Sequence, residues 1–289
     1  MESGIIRFKM VIMIDNHHQF CYICGKNSQF SCEPDFSLRE ARCLHCGASQ
    51  RNSDLAKIII NTFSPNEYSS LTQARRDLTH LGIYETQASG PMHNFLMDLP
   101  HYICSEYFDD VPNGTRNKDG ILCENLLNLS FSDETFDLVI TQDVLEHVAY
   151  PEKAFSEINR VLKPGGYHIF TIPYHENNPT LRRIVVETGE NNHNYPQVYH
   201  GDPLREQGAL VFTDFGPDMK TIIENLGFDV ETISCEIWYS PSEIPYIADE
   251  KEYQKYLKYT TEGNMLKYFK YNSWVFRTRK FRSNVNNYA

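Results

Sequence analysis

Four cysteines in the first fifty residues have a spacing that suits metal binding. Cys21 and Cys24 form one C-x2-C pair, and Cys43 and Cys46 form a second pair after eighteen intervening residues. One C-x2-C turn supplies two thiolates, which is half of a tetrahedral four-cysteine zinc site. The pattern therefore predicts that these four residues bind one structural Zn²⁺.

Three other interpretations of the same cysteines stay open: two disulfides, a redox centre, or a chance spacing. Gly25 and Gly47 each follow the second cysteine of a pair, where a positive φ lets backbone N–H groups turn toward sulfur, and this favours the metal. Cys32 lies between the pairs and His45 lies inside the second turn. Neither is expected to bind the ion, because four cysteines already satisfy it.

Four histidines are candidates for a general base, because imidazole titrates near neutral pH. They are His147, His175, His193 and His200. We rank His200 first, because Gly201 permits a sharp turn beside it and Asp202 is close enough to orient its ring. The competing interpretations are that His200 only bonds the loop backbone, and that His147 only supports its own loop.

A strand, a helix and a second strand are predicted around His147, and the other three histidines follow the second strand. Residues 136–141 are a short apolar run with β-branched members, which predicts a buried strand. Pro151 opens a helix whose apolar residues recur at helical spacing, and residues 163–166 end it with a lysine, a proline and two glycines. Residues 167–172 form a second strand. The short joints make a parallel βαβ unit, so the fold class is α/β with a doubly wound sheet.

The stretch FDLVITQDVLEHV, followed by AFSEINRVLKPGGYHIFTIP, resembles the second half of a class I S-adenosylmethionine-dependent methyltransferase domain. The resemblance is to the small-molecule type, methyltransferase type 11. It implies a Rossmann-like, mostly parallel sheet of seven strands and S-adenosylmethionine as the cofactor. Further strands are expected at 83–86, 102–106, 121–123, 228–233 and 274–278, and further helices near Ser53, at 61–80 and at 212–226.

The resemblance also implies where the methionine end of the cofactor binds. Glu85 matches the acidic residue of the family, and the turn after it is the loop that approaches the ligand, with Ser89 and Gly90 as contacts. This chain departs from the family pattern Glu-x-Gly-x-Gly-x-Gly. Gln87, Ser89 and Pro91 occupy glycine places, and Gly90 is the glycine that remains.

The ribose and the adenine are assigned in the same way. Glu106, with Tyr107 after it, ends the second strand, where a carboxylate can accept two hydrogen bonds from ribose hydroxyls; the alternative is an ordinary surface glutamate. For the adenine, the resemblance implies an acidic or amide side chain and a backbone N–H. The residues concerned are Glu124, Asn125 and Leu126, and the sequence does not choose between the first two. Gln142 and Asp143 are expected to border the cofactor.

The predicted organisation has a lead-in at 1–20, a zinc ribbon at 21–52 and a methyltransferase domain at 53–289. The domain carries an inserted loop at 174–211 and an insertion at 241–270. The joint CGASQRNSDLAKIII resembles that of bacterial methyltransferases with an N-terminal zinc ribbon. The long polar loop at 174–211 is expected to contact substrate.

Composition bounds the partners. A net charge of −11 over 289 residues argues against nucleic-acid binding by the whole surface. No apolar stretch reaches membrane-spanning length, and no secretory signal is evident, so we expect a cytoplasmic protein without a membrane partner. Its expected partner is a small-molecule acceptor. The oligomeric state does not follow from the sequence.

Three functions compete. The first is methyl transfer to a small acceptor such as a sugar, a glycan precursor or a secondary metabolite. The second is an RNA methyltransferase that would use the zinc ribbon and the excess of seven positive charges between residues 251 and 282, which are interleaved with tyrosines. The competing interpretation of that segment is a helix hairpin with its tyrosines on the inner face and its lysines in water. The third is a catalytically silent binding protein, suggested by the glycine-poor loop.

Overall fold

A computed structural model describes residues 12–14, 20–32, 38–64, 66, 68–187, 190–202, 204–238 and 270–282. Among them the chain forms two compact units, one within Met1–Arg75 and Ser234–Ser273 and the other within Arg76–Ile233 and Trp274–Ala289. These units divide the chain at other positions than the predicted domains, whose boundaries stay a prediction. No helix in the described ranges is both long and apolar enough to span a bilayer.

Short strands and two helices make up the N-terminal part. They are β1 (Ile12–Ile14), β2 (Phe20–Cys21), β3 (Lys26–Asn27), β4 (Phe30–Cys32), β5 (Arg42–Cys43), α1 (Gln50–Phe63) and α2 (Leu71–Leu78). Strands β2 and β3 form a hairpin, and β1, β4 and β5 form a small antiparallel sheet. Helix α1 starts earlier than the expected Ser53, because Ser49 caps it in a capping box with Asn52.

The rest of the chain alternates strands and helices. Its first half contains β6 (Ile83–Glu85), α3 (Pro91–Leu96), β7 (Tyr102–Glu106), β8 (Leu122–Cys123), β9 (Phe136–Gln142), α4 (Pro151–Val161) and β10 (Leu162–Thr171). Its second half contains β11 (Leu181–Arg182), β12 (Ile184–Glu187), β13 (Glu190–His193), β14 (Tyr199–Asp202), β15 (Arg205–Leu210), β16 (Thr213–Asp214), α5 (Met219–Glu224), β17 (Phe228–Trp238) and β18 (Lys270–Lys280).

A seven-stranded sheet organises these elements, in the order β17-β18-β10-β9-β6-β7-β8. The pairs β10–β9, β9–β6, β6–β7 and β7–β8 are parallel, whereas β10–β18 is antiparallel. The expected α/β class with a mostly parallel seven-stranded sheet is confirmed. The carboxyl ends of the parallel strands meet at one edge, where open α/β sheets bind ligands.

The core lies where the βαβ unit predicted it. In β9, six of the seven residues are buried, and α4 buries Ala154, Phe155, Ile158 and Val161 on one face. Phe170 of β10 stacks on Phe276 of β18, with ring centroids 5.0 Å apart. This packing fixes the strand ends at which the polar residues lie.

Two elements differ from expectation. Strand β10 begins at Leu162 instead of residue 167, because Leu162 pairs with Phe136 before the register shifts across the glycines. The helix expected at 212–226 is reduced to α5. Thr213 and Asp214 instead form strand β16 with β11, where Arg182 donates to the Thr213 hydroxyl at 2.8 Å and Arg183 donates to Asp214 at 2.9 Å. These long-range partners outweigh local helix propensity.

The inserted loop at 174–211 contains two hairpins, β12–β13 and β14–β15. The insertion at 241–270 lies outside the described residues, apart from Lys270. Most of the basic segment 251–282 also lies outside them.

Candidate functional site

Two tight turns present the four cysteines. The Gly25 amide donates to the Cys21 carbonyl at 2.8 Å, and the Gly47 amide donates to the Cys43 carbonyl at 2.8 Å. Both glycines have a φ of +73°, a conformation that side chains disfavour. The turns repeat one backbone geometry, as the two halves of one metal site would.

The sulfur positions fit a tetrahedral ion. Cys21 Sγ lies 3.6 Å from Cys46 Sγ, and Cys24 Sγ lies 3.9 Å from Cys43 Sγ. A tetrahedron with Zn–S bonds of about 2.3 Å has edges of about 3.8 Å. A disulfide would need about 2.05 Å between the sulfurs. All four thiols are free, so the disulfide interpretation does not hold here.

Among the described side chains, His45 does not join this cluster. His45 is exposed, and the side chain of Cys32 lies outside the described positions. Hydrogen bonds fasten the first turn: the Tyr22 amide donates to the Ser53 hydroxyl at 2.9 Å, and the Thr72 hydroxyl donates to the Ile23 carbonyl at 3.1 Å. The turn is thus held by both α1 and α2.

A second group of polar residues lies at the carboxyl ends of the parallel strands. Glu85 ends β6 with no exposed surface. Its carboxylate accepts from the Tyr102 hydroxyl at 2.6 Å and from the Gln142 side-chain amide at 2.8 Å. Gln142 also donates to Gln87 at 3.0 Å. These bonds join the ends of β6, β7 and β9 into one network.

Burial raises the pKa of Glu85 to about 8, more than its two donors lower it. A carboxyl in such an apolar position favours its neutral form. Its two hydrogen bonds hold Glu85 beneath the loop that follows β6, and its role at the cofactor stays a prediction.

The loop after β6 faces open space. Gly90 has a φ of +92°, and a Cβ added to it would meet no atom within 4 Å. The Thr86 hydroxyl oxygen is buried and has no hydrogen-bond partner in the described part of the chain. The replacement of the family's glycines by Gln87, Ser89 and Pro91 therefore does not fill the space beside Gly90.

Glu106 lies against this loop. It ends β7, and its carboxylate accepts from the Ala88 amide at 2.9 Å. Burial raises the pKa of Glu106 from its ordinary value. Tyr107 follows it with 45% of its surface exposed, and its carbonyl accepts from Arg205 at 3.3 Å. A carboxylate next to a nucleotide-type loop has the position that ribose binding requires.

The next strand end distinguishes Glu124 from Asn125. The carboxylate of Glu124 is buried and accepts from both the amide and the hydroxyl of Ser130. Asn125 uses its side-chain oxygen to accept from the Leu127 amide at 2.8 Å, which leaves its NH2 group without a partner among the described residues. Leu126 beside it is buried. This geometry favours Asn125 as a ligand contact.

Asp143 follows β9 in a strained conformation. Its φ is +51°, which is uncommon for a residue other than glycine. The Thr171 hydroxyl donates to its carboxylate at 2.9 Å, and its own amide donates to the Thr171 carbonyl at 2.9 Å. These bonds turn the chain sharply at the strand end, as is common at functional sites.

Two of the four candidate histidines come together. The ring centroids of His147 and His200 lie 5.1 Å apart with the rings nearly perpendicular, and both rings approach Glu146 Oε1. The Glu146 carboxylate, 3.5 Å from His200 Nδ1, raises the pKa of His200, with smaller contributions from Asp143 and Asp214. A raised pKa increases its protonated fraction at neutral pH, which leaves less free imidazole to accept a proton.

The other two histidines lie outside this cluster. His175 is exposed, and His193 contacts Gln197 on the surface at 3.2 Å. Glu146 was not singled out from the sequence, although it stands next to His147 directly after a buried strand. An acidic residue in that position was the available signal.

A comparison with known families finds a match to the methyltransferase domain over residues 103–170. Sterol 24-C-methyltransferase ERG6 of Saccharomyces cerevisiae is 30% identical over 127 residues, which is 42% of this chain and 29% of ERG6. Sterol 24-C-methyltransferase of Clavispora lusitaniae is 30% identical over 131 residues, 40% of this chain and 30% of that protein. The chain thus spans less than a third of these relatives.

Solved structures were compared as well. An S-adenosylmethionine-dependent methyltransferase from Mesorhizobium loti aligns with 69% of this chain and 91% of its own, at 15% identity and a TM-score of 0.38. A SAM-dependent methyltransferase from Archaeoglobus fulgidus aligns with 78% of this chain and 99% of its own, at 14% identity and a TM-score of 0.41. The family match confirms the predicted resemblance, and residues 103–170 are part of a methyltransferase domain.

Proposed function

We propose that the protein transfers a methyl group from S-adenosylmethionine to a small-molecule acceptor. The observation that carries the proposal is the contact between Glu106 and the amide of Ala88, at the open face of the loop around Gly90. It lies at the sheet edge where such folds bind ligands. The methyltransferase-domain match over residues 103–170 covers β7 and β8 on one side of β6 and β9 and β10 on the other.

The residues at this edge of the sheet suit each part of S-adenosylmethionine. The methionine end would lie beside Gly90 and Ser89, where the backbone is open. Glu106 would accept from the ribose hydroxyls. Asn125 would bond the adenine through its free NH2 group, with Leu126 against the ring and Gln142 and Asp143 bordering the site.

Methyl transfer from a sulfonium is an in-line displacement that disperses a positive charge already present. The protein therefore acts mainly by aligning the acceptor, the methyl group and the sulfur. The hairpins of residues 174–211 follow β10, and the hairpin β14–β15 reaches the edge because Phe212 donates to the Glu146 carbonyl at 2.8 Å. We propose that this inserted segment holds the acceptor opposite the sulfur.

The nature of the acceptor remains a proposal at the level of a small molecule. The two sterol 24-C-methyltransferases are named for a sterol acceptor. A sugar or a secondary metabolite is equally compatible with the cleft of this chain. The RNA alternative depends on the zinc ribbon and on residues 251–282, and most of residues 251–282 lie outside the described ranges. Nothing in the described part of the chain favours it over a small acceptor.

Binding of the cofactor tests the proposal directly. Titration calorimetry should show one S-adenosylmethionine per chain, and mass spectrometry with hydroxyl-bearing small molecules should show a gain of one methyl group in one of them. Binding without transfer to any acceptor would support the silent binding protein. Absence of binding would contradict the proposal altogether.

Replacement of Glu106 tests the ribose assignment. Glu106→Ala should weaken S-adenosylmethionine binding by roughly 1.5–3 kcal/mol, the loss expected for hydrogen bonds to a charged group. This is a rise of roughly 10- to 150-fold in Kd. Asp229→Ala removes an exposed carboxylate on β17 and should leave the Kd unchanged. Equal affinity of the Glu106 variant and the wild type would place Glu106 outside the site.

A further inference from the structure

The cofactor site leaves one cluster unexplained, formed by Glu146, His147 and His200. Glu146 lies in the 3-10 turn after β9 with 1% of its surface exposed. Neither oxygen of its carboxylate has a hydrogen-bond partner in the described part of the chain. Burying a carboxylate without donors is costly, so this group calls for a cation.

The two imidazoles supply nitrogen atoms on the same side. His147 Nδ1 lies 2.8 Å from the Leu210 carbonyl, so Nδ1 carries the proton and donates it there. Its other nitrogen, Nε2, then presents a lone pair 3.5 Å from Glu146 Oε1. Metal-binding histidines commonly donate their remote N–H to a carbonyl in this way.

His200 completes the cluster from the β14–β15 hairpin. Its Nδ1 also lies 3.5 Å from Glu146 Oε1, and all three ligand atoms lie within 4.8 Å of one another. With bonds of about 2.0–2.1 Å to nitrogen and oxygen, the edge of a tetrahedral site is about 3.3 Å. Both separations from Glu146 Oε1 to an imidazole nitrogen, 3.5 Å each, are thus close to the edge that one bound ion requires.

We propose that Glu146, His147 and His200 bind one divalent transition-metal ion that takes the acceptor oxygen as a further ligand. Two imidazoles and one carboxylate suit Mn²⁺, Fe²⁺, Co²⁺ or Zn²⁺, whereas Mg²⁺ prefers oxygen alone. Because the His200 side chain is 38% exposed, the cluster has an open side for the acceptor. The acceptor role rests on the proposed function; the ion site does not.

The ion lowers the pKa of a hydroxyl bound to it, as it does for bound water. The hydroxyl proton leaves to solvent water, and the oxygen lone pair forms the bond to the methyl carbon. The carbon–sulfur bond breaks, and its electron pair stays on sulfur. The products are the methylated acceptor and S-adenosylhomocysteine, and His200 holds the ion instead of acting as the base.

Mn²⁺ is the probe of choice, because the soft four-cysteine site disfavours it. Full-length protein carrying zinc on its cysteines should bind one Mn²⁺ per chain, as measured by the loss of the free-ion electron paramagnetic resonance signal. Glu146→Gln and His200→Ala should each weaken this binding by at least about tenfold. His101→Ala removes an exposed histidine elsewhere and should bind Mn²⁺ like the wild type.

Circular dichroism and S-adenosylmethionine binding show whether each variant is folded. Both variants are expected to fold, because His200 lies on a surface hairpin and glutamine has nearly the shape of the glutamate that it replaces at position 146. Failure of wild-type protein to bind Mn²⁺ below millimolar concentration, or equal binding by the variants, would overturn the ion site. If the protein binds Mn²⁺ but not S-adenosylmethionine, the ion site stands and the proposed function fails. If the wild type binds no Mn²⁺ and the His200→Gln variant methylates the acceptor more slowly than the wild type, the ion site is wrong and His200 is the base.

Discussion

Replacement of Cys43 by serine should remove the bound zinc and unfold the segment from residue 20 to residue 50. Four thiolates around one ion would be the main link between the two turns, because the strands there are only two or three residues long. Structural zinc contributes on the order of 10 kcal/mol in small domains of this kind.

The measurement combines elemental analysis with hydrogen exchange. After dialysis against a mild chelator, the wild type should retain one zinc per chain, and the Cys43→Ser variant should retain none. The amides of Gly25 and Gly47, which now donate at 2.8 Å, should lose their protection. Cys104→Ser is the matched control, since Cys104 is a free cysteine of β7 outside the cluster. It should keep both the zinc and the protection.

Two results would contradict this prediction. One is wild-type protein that retains no metal, and the other is unchanged protection at Gly25 and Gly47 in the Cys43 variant. Either would mean that the cysteine cluster does not hold the segment together.

The sequence predicted those parts of the fold that depend on local patterns. Leu138, Val139 and Ile140 form a short apolar run with β-branched members, so β9 could be recognised as a buried strand. Pro151 fixed the first turn of α4. The cysteine spacing likewise predicted a cluster that needs only two turns and their glycines.

Long-range contacts account for what could not be predicted. The shortening of α5 depends on Arg182 and Arg183, which lie about thirty residues before the strand that they bond. The pairing of His147 with His200 depends on a hairpin whose β14 and β15 are mostly polar and carry no strong strand pattern. The sequence does not indicate that Glu146 is buried, because its burial depends on that hairpin.

The stability of the protein should fall as the pH rises from about 4.5 to about 8, because of Glu85. Burial raises the pKa of this carboxyl from 4.5 to about 8 in the folded chain. In the unfolded chain it ionises near its ordinary value. Between the two values the folded state keeps a proton that the unfolded state has released, so raising the pH favours unfolding.

The effect can reach about 5 kcal/mol, since each pKa unit corresponds to about 1.4 kcal/mol. Glu85→Gln keeps the shape of the side chain and removes its titration. The free energy of unfolding, measured in urea at pH 5, 6.5 and 8, should fall more steeply in the wild type than in the variant. Other groups near Glu85, such as Glu106 and His93, are present in both proteins, so their contributions largely cancel in the difference.

The difference between the two proteins is the decisive quantity. Below pH 4.5, Glu85 is neutral in both the folded and the unfolded state, and the stability that it contributes is fully present. Above pH 8 this contribution is lost. From pH 4.5 to pH 8, the free energy of unfolding of the variant should therefore rise steadily relative to that of the wild type. Above pH 8 the difference should stay constant. Parallel curves would show that Glu85 is ionised in the folded protein. The donors Tyr102 and Gln142, at 2.6 and 2.8 Å, would then hold it as a carboxylate.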